Sequence, residues 1–241
     1  MVERNLAKVE VASPSLVFRS KRKTAFVVVF LRFIDLSFAH SRGMWYSRLQ
    51  AVTDRIVLRE LDSALGALPE WRLRKALSYR SDTDKYTCAK AYLMLKDMLE
   101  EHYGIFEDIK FAFGPHGKPY LKDYPDIHFN FSHCRRAVVC AVSDRPVGAD
   151  VEILQFDDQI AAQAFSAAEM DAVRGSADPE LAFTELWTRK ESCLKLLGTG
   201  LTDDLKPLLA DIGGKVEFHT SVDTGTRTVS TIALENKISE L

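Results

Sequence analysis

Apolar residues recur every three or four positions in two long stretches, which predicts two long helices. These stretches are residues 82–103 and 180–197, and a glycine follows each of them where a helix commonly ends. Two shorter stretches with the same spacing lie upstream, and Pro69 stands between them near a helix start, where its missing N–H costs little. The shorter helices are predicted over residues 61–68 and 70–79.

Short runs of β-branched, aromatic and apolar residues predict strands separated by turns. Most connections are too short for a crossover helix, so we expect antiparallel hairpins. Ser166 and Glu169 have the S-x-x-E spacing that marks a helix start. Because strands and helices occur in separate runs, the predicted fold class is α+β. The candidate strands are residues 53–58, 109–113, 127–131, 137–143, 147–153, 215–219 and 226–234.

Composition fits a folded globular protein and limits its partners. The chain has 241 residues, 46% of them hydrophobic, and a formal net charge of −2. That balance gives no reason to expect a nucleic acid or a membrane as partner. The four cysteines lack C-x-x-C spacing, and we interpret them as reduced thiols in a cytoplasmic protein.

Residues 1–43 differ from the rest of the chain. Their apolar run is interrupted by Arg32 and Asp35, which leaves it too short to span a bilayer. Regular patterns begin at Met44, an alternative translation start. We therefore treat residues 1–43 as an N-terminal extension whose presence in the mature protein the sequence leaves open. A secretory signal is the alternative interpretation, although no clear cleavage site follows.

The stretch VGADVEI, residues 147–153, carries two carboxylates on a predicted strand. Side chains alternate along a strand, so Asp150 and Glu152 share one face with Gly148, and the other face is apolar. Two adjacent negative charges repel each other unless a cation lies between them. Mg²⁺ binds one or two carboxylates together with substrate phosphates. The simpler alternative is a solvent-facing strand edge.

The predicted helix over residues 180–197 carries a matching set of charges. Lys190 falls within its apolar stripe, and such a lysine needs a fixed anion. Glu191 and Lys195 are four residues apart and therefore neighbours on one helical face. As an isolated pair they would indicate only a solvated ion pair, but beside Asp150 and Glu152 a third carboxylate would complete a metal site.

Upstream residues suit a polyphosphate. Lys118 lies on a glycine-rich turn, and Ser132 and His133 follow a predicted strand. Each alone is more typical of a solvated turn or a strand end. A serine-protease interpretation fails because adjacent residues of an extended chain point apart. A hydroxyl, an imidazole and lysines near a bound metal instead fit phosphate groups.

Four motifs, in this order, resemble the Sfp-type 4′-phosphopantetheinyl transferases. They are FGPHGKPYL, FNFSHC, VGADVE and LWTRKESCLK, within a region of resemblance from about Tyr79 to Leu201. The resemblance implies Mg²⁺ bound by Asp150, Glu152 and Glu191. It also implies coenzyme A as substrate and a serine of an apo acyl or peptidyl carrier protein as acceptor.

The resemblance also assigns roles to the basic and hydroxyl residues. It implies that Lys118, Ser132 and His133 hold phosphates and that Lys190 and Lys195 lie near the pyrophosphate and the reacting centre. Glu191 is the preferred general base, with a metal-bound water as the alternative. The 3′-phosphate would bind a basic run, and Thr87 stands where relatives often have an arginine, for which Lys85 or Lys90 would substitute. The run consists of Arg72, Arg74 and Lys75.

The implied fold has two similar halves, residues 44–145 and 146–241, each a small antiparallel sheet packed with a long helix. Coenzyme A would lie in the cleft between them, and a chain that holds both halves should act as a monomer. Two alternatives remain open on the same residues. One is a Mg²⁺-dependent phosphohydrolase or nucleotidyl transferase, and the other is a non-catalytic module that binds coenzyme A or a carrier protein. One sequence does not identify the carrier.

Overall fold

The protein is seen here as a computed structural model that describes residues 33–40, 43–200 and 205–236. Residues 1–32, 41 and 42 of the predicted extension lie outside the described residues. Residues 33–40 form a strand that pairs antiparallel with the next strand, with Phe33 opposite Gln50. The boundary between 43 and 44 therefore lies at the end of this hairpin, and the status of the extension stays a prediction.

Nine strands are present in the described residues, and all pair antiparallel. They form a four-stranded sheet in the order β1-β2-β6-β5, a three-stranded sheet in the order β7-β9-β8, and the β3-β4 hairpin. Their bounds are β1 Phe33–His40, β2 Gly43–Ala51, β3 Phe111–Phe113, β4 Pro119–Leu121, β5 His128–His133, β6 Ala137–Ser143, β7 Val147–Ile153, β8 Val216–Asp223 and β9 Thr228–Glu235.

Seven α-helices are described, and the two longest agree with their sequence patterns. Both end at a left-handed glycine, Gly104 with φ 66° and Gly198 with φ 66°. The predicted capping box between Ser166 and Glu169 is confirmed. The helices are α1 Asp54–Gly66, α2 Glu70–Leu77, α3 Asp82–Tyr103, α4 Asp158–Ala164, α5 Ala167–Arg174, α6 Pro179–Leu197 and α7 Leu208–Ile212.

The two larger sheets pack face to face and separate the two long helices. Apolar residues of one sheet, including Trp45 and Val139, meet those of the other, including Val147, Ala149 and Val151. Alternate residues of β6 instead join the core under α3, and α6 covers the outer face of the β7 sheet. The wholly apolar β6 is thus buried on both faces, as its sequence predicts.

The fold class is therefore α+β, as predicted. The predicted division at 145/146 falls in the connection where the chain passes from one sheet to the other. That β6 and β7 join different sheets corrects the expectation of a hairpin between them. The two-domain description and an internal similarity of the two halves stay predictions.

The predicted strand over residues 53–58 is wrong, because these residues begin α1. The Thr53 hydroxyl caps this helix by accepting a hydrogen bond from the backbone N–H of Ile56. Ile56, Val57 and Leu61 then pack into the core beside α3. Three apolar side chains at helical spacing outweigh the β-branched residues' weak strand preference. Strands β1, β2 and β4 and helices α4 and α7 were not predicted.

Candidate active site

The site is built where α6 lies directly against β7. Gly148 makes this contact possible, because a Cβ atom there would lie 2.0 Å from the carbonyl oxygen of Ser192 and 2.5 Å from the amide nitrogen of Leu196. Asp150 and Glu152 share the face of β7 that carries Gly148. The glycine therefore lets one face of α6, with Glu191 and Lys195, approach the two strand carboxylates.

Asp150 is the centre of a three-residue hydrogen-bond cluster. Its side chain is buried, with 1% exposed. The Lys195 ammonium donates to Asp150 Oδ1 at 2.5 Å and to the Ser132 hydroxyl oxygen at 3.0 Å. The Ser132 hydroxyl in turn donates to Asp150 Oδ1 at 2.9 Å. Residues from β5, β7 and α6, distant in sequence, thus meet as predicted.

Glu152 and Glu191 lie close enough to Asp150 to feel its charge. Burial, followed by the charge of Asp150, raises the pKa of Glu152 to about 7. The charge of Lys195 partly offsets this increase by lowering the same pKa. The same two causes raise the pKa of Glu191. A hydrogen bond from the Trp187 side chain also lowers the pKa of Glu152. We call Asp150, Glu152 and Glu191 the carboxylate cluster.

The carboxylate cluster fits a divalent cation in its chemistry. The described part of the chain contains no set of three His, Cys, Asp or Glu side chains already arranged as metal ligands. However, Asp150 Oδ2 is buried without a hydrogen-bond partner, and a buried acceptor of that kind is costly. Oxygen ligands of this type suit Mg²⁺, which would also relieve the repulsion between the carboxylates.

Lys118 lies in a cleft next to the carboxylate cluster. The cleft has a volume of about 310 Å³, and its walls include Glu191, Lys195 and Phe131. The Lys118 ammonium donates to the carbonyl oxygens of Val147 at 3.1 Å and Leu196 at 2.9 Å, and burial lowers its pKa to about 8. We call this cavity the Lys118 cleft.

His133 points away from Ser132, to the other side of β5. Its Nδ1 lies 3.2 Å from the Thr87 hydroxyl oxygen on α3. Burial lowers the pKa of His133, with smaller contributions from Asp84, which raises it, and from Lys195 and Arg72, which lower it. His133 is therefore close enough to Lys195 for the charge of that lysine to lower its pKa, although its side chain contacts Thr87 on α3.

Arg72 is a buried cation beside His133. It is 8% exposed, its guanidinium donates to the Cys88 carbonyl oxygen at 3.1 Å, and its Nε has no hydrogen-bond partner. The guanidinium carbon lies 5.4 Å from the centre of the Phe131 ring. A buried cation with an open donor is suited to an anionic ligand.

The structure does not bring Lys190 or Lys75 to the carboxylate cluster. Lys190 is fully buried, and its ammonium forms an ion pair with Glu169 Oε1 at 3.0 Å and donates to the Leu205 carbonyl oxygen at 2.8 Å. The fixed anion expected for Lys190 is thus Glu169, which corrects the placement of this lysine near a pyrophosphate. Lys75 is exposed, with its ammonium over the Tyr79 ring.

Two contributions escaped the sequence interpretation. The sequence predicts no role for Thr87, which stands where relatives often have an arginine. In the structure, the Thr87 hydroxyl contacts His133. The proposed substitute Lys85 instead forms an ion pair with Asp82 at 2.8 Å. The contact of Trp187 with Glu152 was also missed, although the spacing of Trp187 and Glu191 at i and i+4 was a usable signal.

Carboxylates, lysines and a hydroxyl beside a cleft, with a buried arginine on the other side of β5, are typical of enzymes that act on phosphate-containing substrates. Comparison with known proteins is consistent with this class. The family described as "4'-phosphopantetheinyl transferase superfamily" matches residues 146–230.

Several curated proteins are similar over longer stretches. The 4'-phosphopantetheinyl transferase psf-1 of Bacillus pumilus is 31% identical over 167 residues, 68% of this chain and 72% of that protein. The 4'-phosphopantetheinyl transferase gsp of Aneurinibacillus migulanus is 39% identical over 51% of this chain and 53% of its own length. The 4'-phosphopantetheinyl transferase Sfp of Bacillus subtilis (strain 168) is 32% identical over 56% and 61%.

The chain therefore belongs to the 4′-phosphopantetheinyl transferase superfamily, as an enzyme of the Sfp type. This confirms the family resemblance of the four motifs. None of the helices in the described part of the chain has the length and apolar character needed to cross a membrane.

Proposed function

We propose that this protein transfers the 4′-phosphopantetheine group of coenzyme A to a serine hydroxyl of an apo acyl or peptidyl carrier protein. The other product would be adenosine 3′,5′-bisphosphate. The observation that carries the proposal is the contact of Lys195 with Asp150 and Ser132, inside a group of three buried or half-buried carboxylates. The names of the related transferases agree with this reaction.

Asp150, Glu152 and Glu191 would hold Mg²⁺. The ion supplies charge neutralisation for the pyrophosphate of coenzyme A when it is bound. Two observations support this assignment: the unpartnered Oδ2 of Asp150 and the raised pKa values of Glu152 and Glu191. The pKa values are raised first by burial and then by the charge of Asp150, and a bound cation would stabilise the charged form of each carboxylate.

The remaining residues of the site would bind and orient the phosphates. Lys195 and Ser132 would donate hydrogen bonds to the pyrophosphate, and Lys118 would add positive charge from its own cleft. Arg72, Thr87 and His133 form a second group of donors on the other side of β5, suited to the 3′-phosphate. This assignment replaces the predicted roles of Lys75 and Lys190.

Glu191 would act as the general base. It lines the Lys118 cleft on the same helical face as Lys195, where its carboxylate could take the serine proton in the transition state. The proton would move from the acceptor hydroxyl to a Glu191 carboxylate oxygen as the serine oxygen attacks the β-phosphorus of coenzyme A. The bond between that phosphorus and the bridging oxygen would break, leaving the adenosine bisphosphate.

We further propose that the two halves, 44–145 and 146–241, are related as the two parts of a pseudo-dimer and that the protein acts as a cytoplasmic monomer. Each half contributes to the site, since Ser132 precedes the division and Asp150 and Lys195 follow it. One chain thus supplies the whole constellation. Sedimentation of the purified protein, with and without coenzyme A, would test the monomer.

The decisive experiment combines the purified protein with coenzyme A, Mg²⁺ and a panel of apo carrier proteins. Mass spectrometry of each carrier should reveal the gain of one phosphopantetheine group on at least one of them, and no gain when a chelator replaces Mg²⁺. A parallel reaction with a nucleoside triphosphate in place of coenzyme A should give no product. Absence of the mass gain on every carrier, with the protein folded, would contradict the proposal.

A further inference from the structure

A second cleft lies beyond the C-terminal end of β5. It has a volume of about 530 Å³ and is formed by four separate chain segments. Arg135 and Arg136 enter it from the turn between β5 and β6, and Thr226 enters from the turn between β8 and β9. Thr53 and Thr83 line it at the starts of α1 and α3. We call it the Arg135–Arg136 cleft.

The arginine turn directly follows the strand that carries Ser132. Arg135 and Arg136 follow Ser132 by three and four residues, whereas Asn130, in the middle of β5, lines the Lys118 cleft. Cys134, at the start of the turn, is close enough to Glu152 and Asp150 for their charges to raise its thiol pKa, after the larger effect of burial. The arginine turn therefore begins beside the carboxylate cluster.

The Arg135–Arg136 cleft carries an excess of positive charge. Both arginines are exposed, and within the described residues neither forms an ion pair with a carboxylate. Arg136 makes one hydrogen bond, from Nη1 to the Thr226 carbonyl oxygen at 3.3 Å. Asp54 is the one acidic residue of the cleft lining, so two cations face one anion.

The backbone of this turn is held in place. The N–H of Val52 donates to the Arg136 carbonyl oxygen at 2.7 Å, and the N–H of Cys134 donates to the Ala137 carbonyl oxygen at 2.9 Å. The backbone that carries both arginines is thus held by hydrogen bonds at the end of the hairpin. A backbone held in this way loses less conformational entropy on binding a partner than a mobile loop does.

We infer that the Arg135–Arg136 cleft docks the carrier protein by pairing with carboxylates near its acceptor serine, an inference that rests on the proposed function. A carrier whose serine reaches Ser132 and Asp150 must cover the surface around them, since a protein interface typically involves about 20 residues a side. The Lys118 cleft and the Arg72 group are assigned to coenzyme A. The arginine cleft is a second cavity near Ser132, and its excess of positive charge favours an acidic surface.

The test measures carrier binding separately from turnover. The carrier is an apo acyl carrier protein with acidic residues beside its serine, and the serine is replaced by alanine so that no transfer occurs. The double variant Arg135→Glu and Arg136→Glu should weaken binding about tenfold or more, because attraction becomes repulsion. The matched control is Arg174→Glu, which also reverses the charge of an exposed arginine, on α5. It breaks a surface ion pair with Asp158 and should leave carrier binding unchanged.

Three further measurements make the result specific. In turnover with the serine-bearing carrier, the double variant should raise KM for the carrier while KM for coenzyme A changes less than about twofold. The effect should disappear on a carrier whose acidic residues are changed to Asn and Gln. Arg135→Glu alone should reproduce part of the loss without removing the Arg136 hydrogen bond to Thr226, which separates docking from folding.

The outcomes are distinct. Unchanged carrier binding in the double variant, or no binding of the carrier to the unmodified protein, would overturn the inference. A rise in KM for coenzyme A instead would also overturn it and would assign the cleft to a phosphate of that substrate. If the carrier binds through the arginines but is never modified, the docking surface stands and the proposed transferase reaction fails.

Discussion

The ammonium of Lys195 lies 2.5 Å from Oδ1 of Asp150, and this ion pair joins α6 to β7 at the centre of the site. Asp150 is 1% exposed and its second oxygen has no hydrogen-bond partner. One positive side chain therefore faces three carboxylates. The proposed Mg²⁺ would add positive charge at this point, and the first prediction tests the role of Asp150 there.

Asp150→Asn should abolish transfer while the protein stays folded. The substitution keeps the shape of the side chain but removes the charge that holds Lys195 and a metal ion, so we expect kcat to fall by at least about 100-fold. Stability should change little, because loss of the ion pair is offset by reduced repulsion from Glu152 and Glu191. Carrier mass spectrometry and thermal unfolding measure the two effects.

The control for this variant is Asp126→Asn, at an exposed position outside the site. It should leave both activity and melting temperature unchanged. Normal transfer by Asp150→Asn would remove Asp150 from the metal site and with it the central part of the proposed mechanism.

Lys190→Met and Lys195→Met should differ in their effect on kcat, although the two lysines lie on the same helix. Lys190 is buried against Glu169, so its loss leaves a mostly buried carboxylate without its partner and should lower the free energy of unfolding by about 3 kcal/mol. The folded fraction should retain its kcat. Lys195→Met should instead reduce kcat strongly, and it should also lower the free energy of unfolding, because it leaves the buried Asp150 carboxylate without its cation.

Urea unfolding and initial rates of carrier modification separate these two cases. A selective loss of kcat in Lys190→Met at full stability would return Lys190 to the catalytic site. Glu169→Gln should destabilise the protein in the same direction as Lys190→Met, because it leaves the buried ammonium without an anion.

Gly148→Ala should destabilise the protein and misplace α6. The added methyl group would meet backbone atoms of Ser192 and Leu196, which do not move as a flexible side chain does. Overpacking of this kind costs about 1–3 kcal/mol or more, and a shifted helix would carry Glu191 and Lys195 away from Asp150. Gly66→Ala, where an added Cβ has no neighbour within 4 Å, is the control.

Circular dichroism in urea gives the free energy of unfolding for both glycine variants, and the transfer assay gives their activity. Full activity and normal stability of Gly148→Ala would mean that α6 does not approach β7 as closely as described.

Glu152 should make the metal-free protein less stable as the pH rises. Its pKa is raised to about 7 from the ordinary value of 4.5, so the folded protein holds a proton that the unfolded chain has released between these values. The contribution of Glu152 to the free energy of unfolding is therefore most favourable below about pH 4.5, and it declines as the pH rises to about 7. Glu152→Gln should remove the decline and, above pH 7, exceed the unmodified protein by on the order of 2 kcal/mol.

Urea unfolding of both proteins across this pH range, with a chelator present, measures the difference. Added Mg²⁺ should stabilise the unmodified protein more at the high end of the range than at the low end, because protons and the cation compete for the same oxygens. If the difference in free energy of unfolding between Glu152→Gln and the unmodified protein shrinks as the pH rises, the raised pKa of Glu152 is contradicted.

Local patterns were sufficient for much of the secondary structure. Residues 82–103 and 137–143 were predicted to the residue, because the apolar spacing is unbroken and clear end signals follow. The prediction of a strand at the start of α1 was wrong, because Thr53 is equally typical of a strand and of a helix cap. Only its hydrogen bond with the N–H of Ile56 distinguishes the two.

The sequence by itself determined which charged residues share a face: the alternation of VGADVEI puts Gly148, Asp150 and Glu152 on one face, and i,i+4 spacing puts Glu191 beside Lys195. Only the tertiary structure decided which lysine meets Asp150. Lys190 and Lys195 are both on α6, but the helix is rotated so that one meets Glu169 and the other Asp150. That rotation is set by contacts between segments far apart in the chain, which no local spacing encodes.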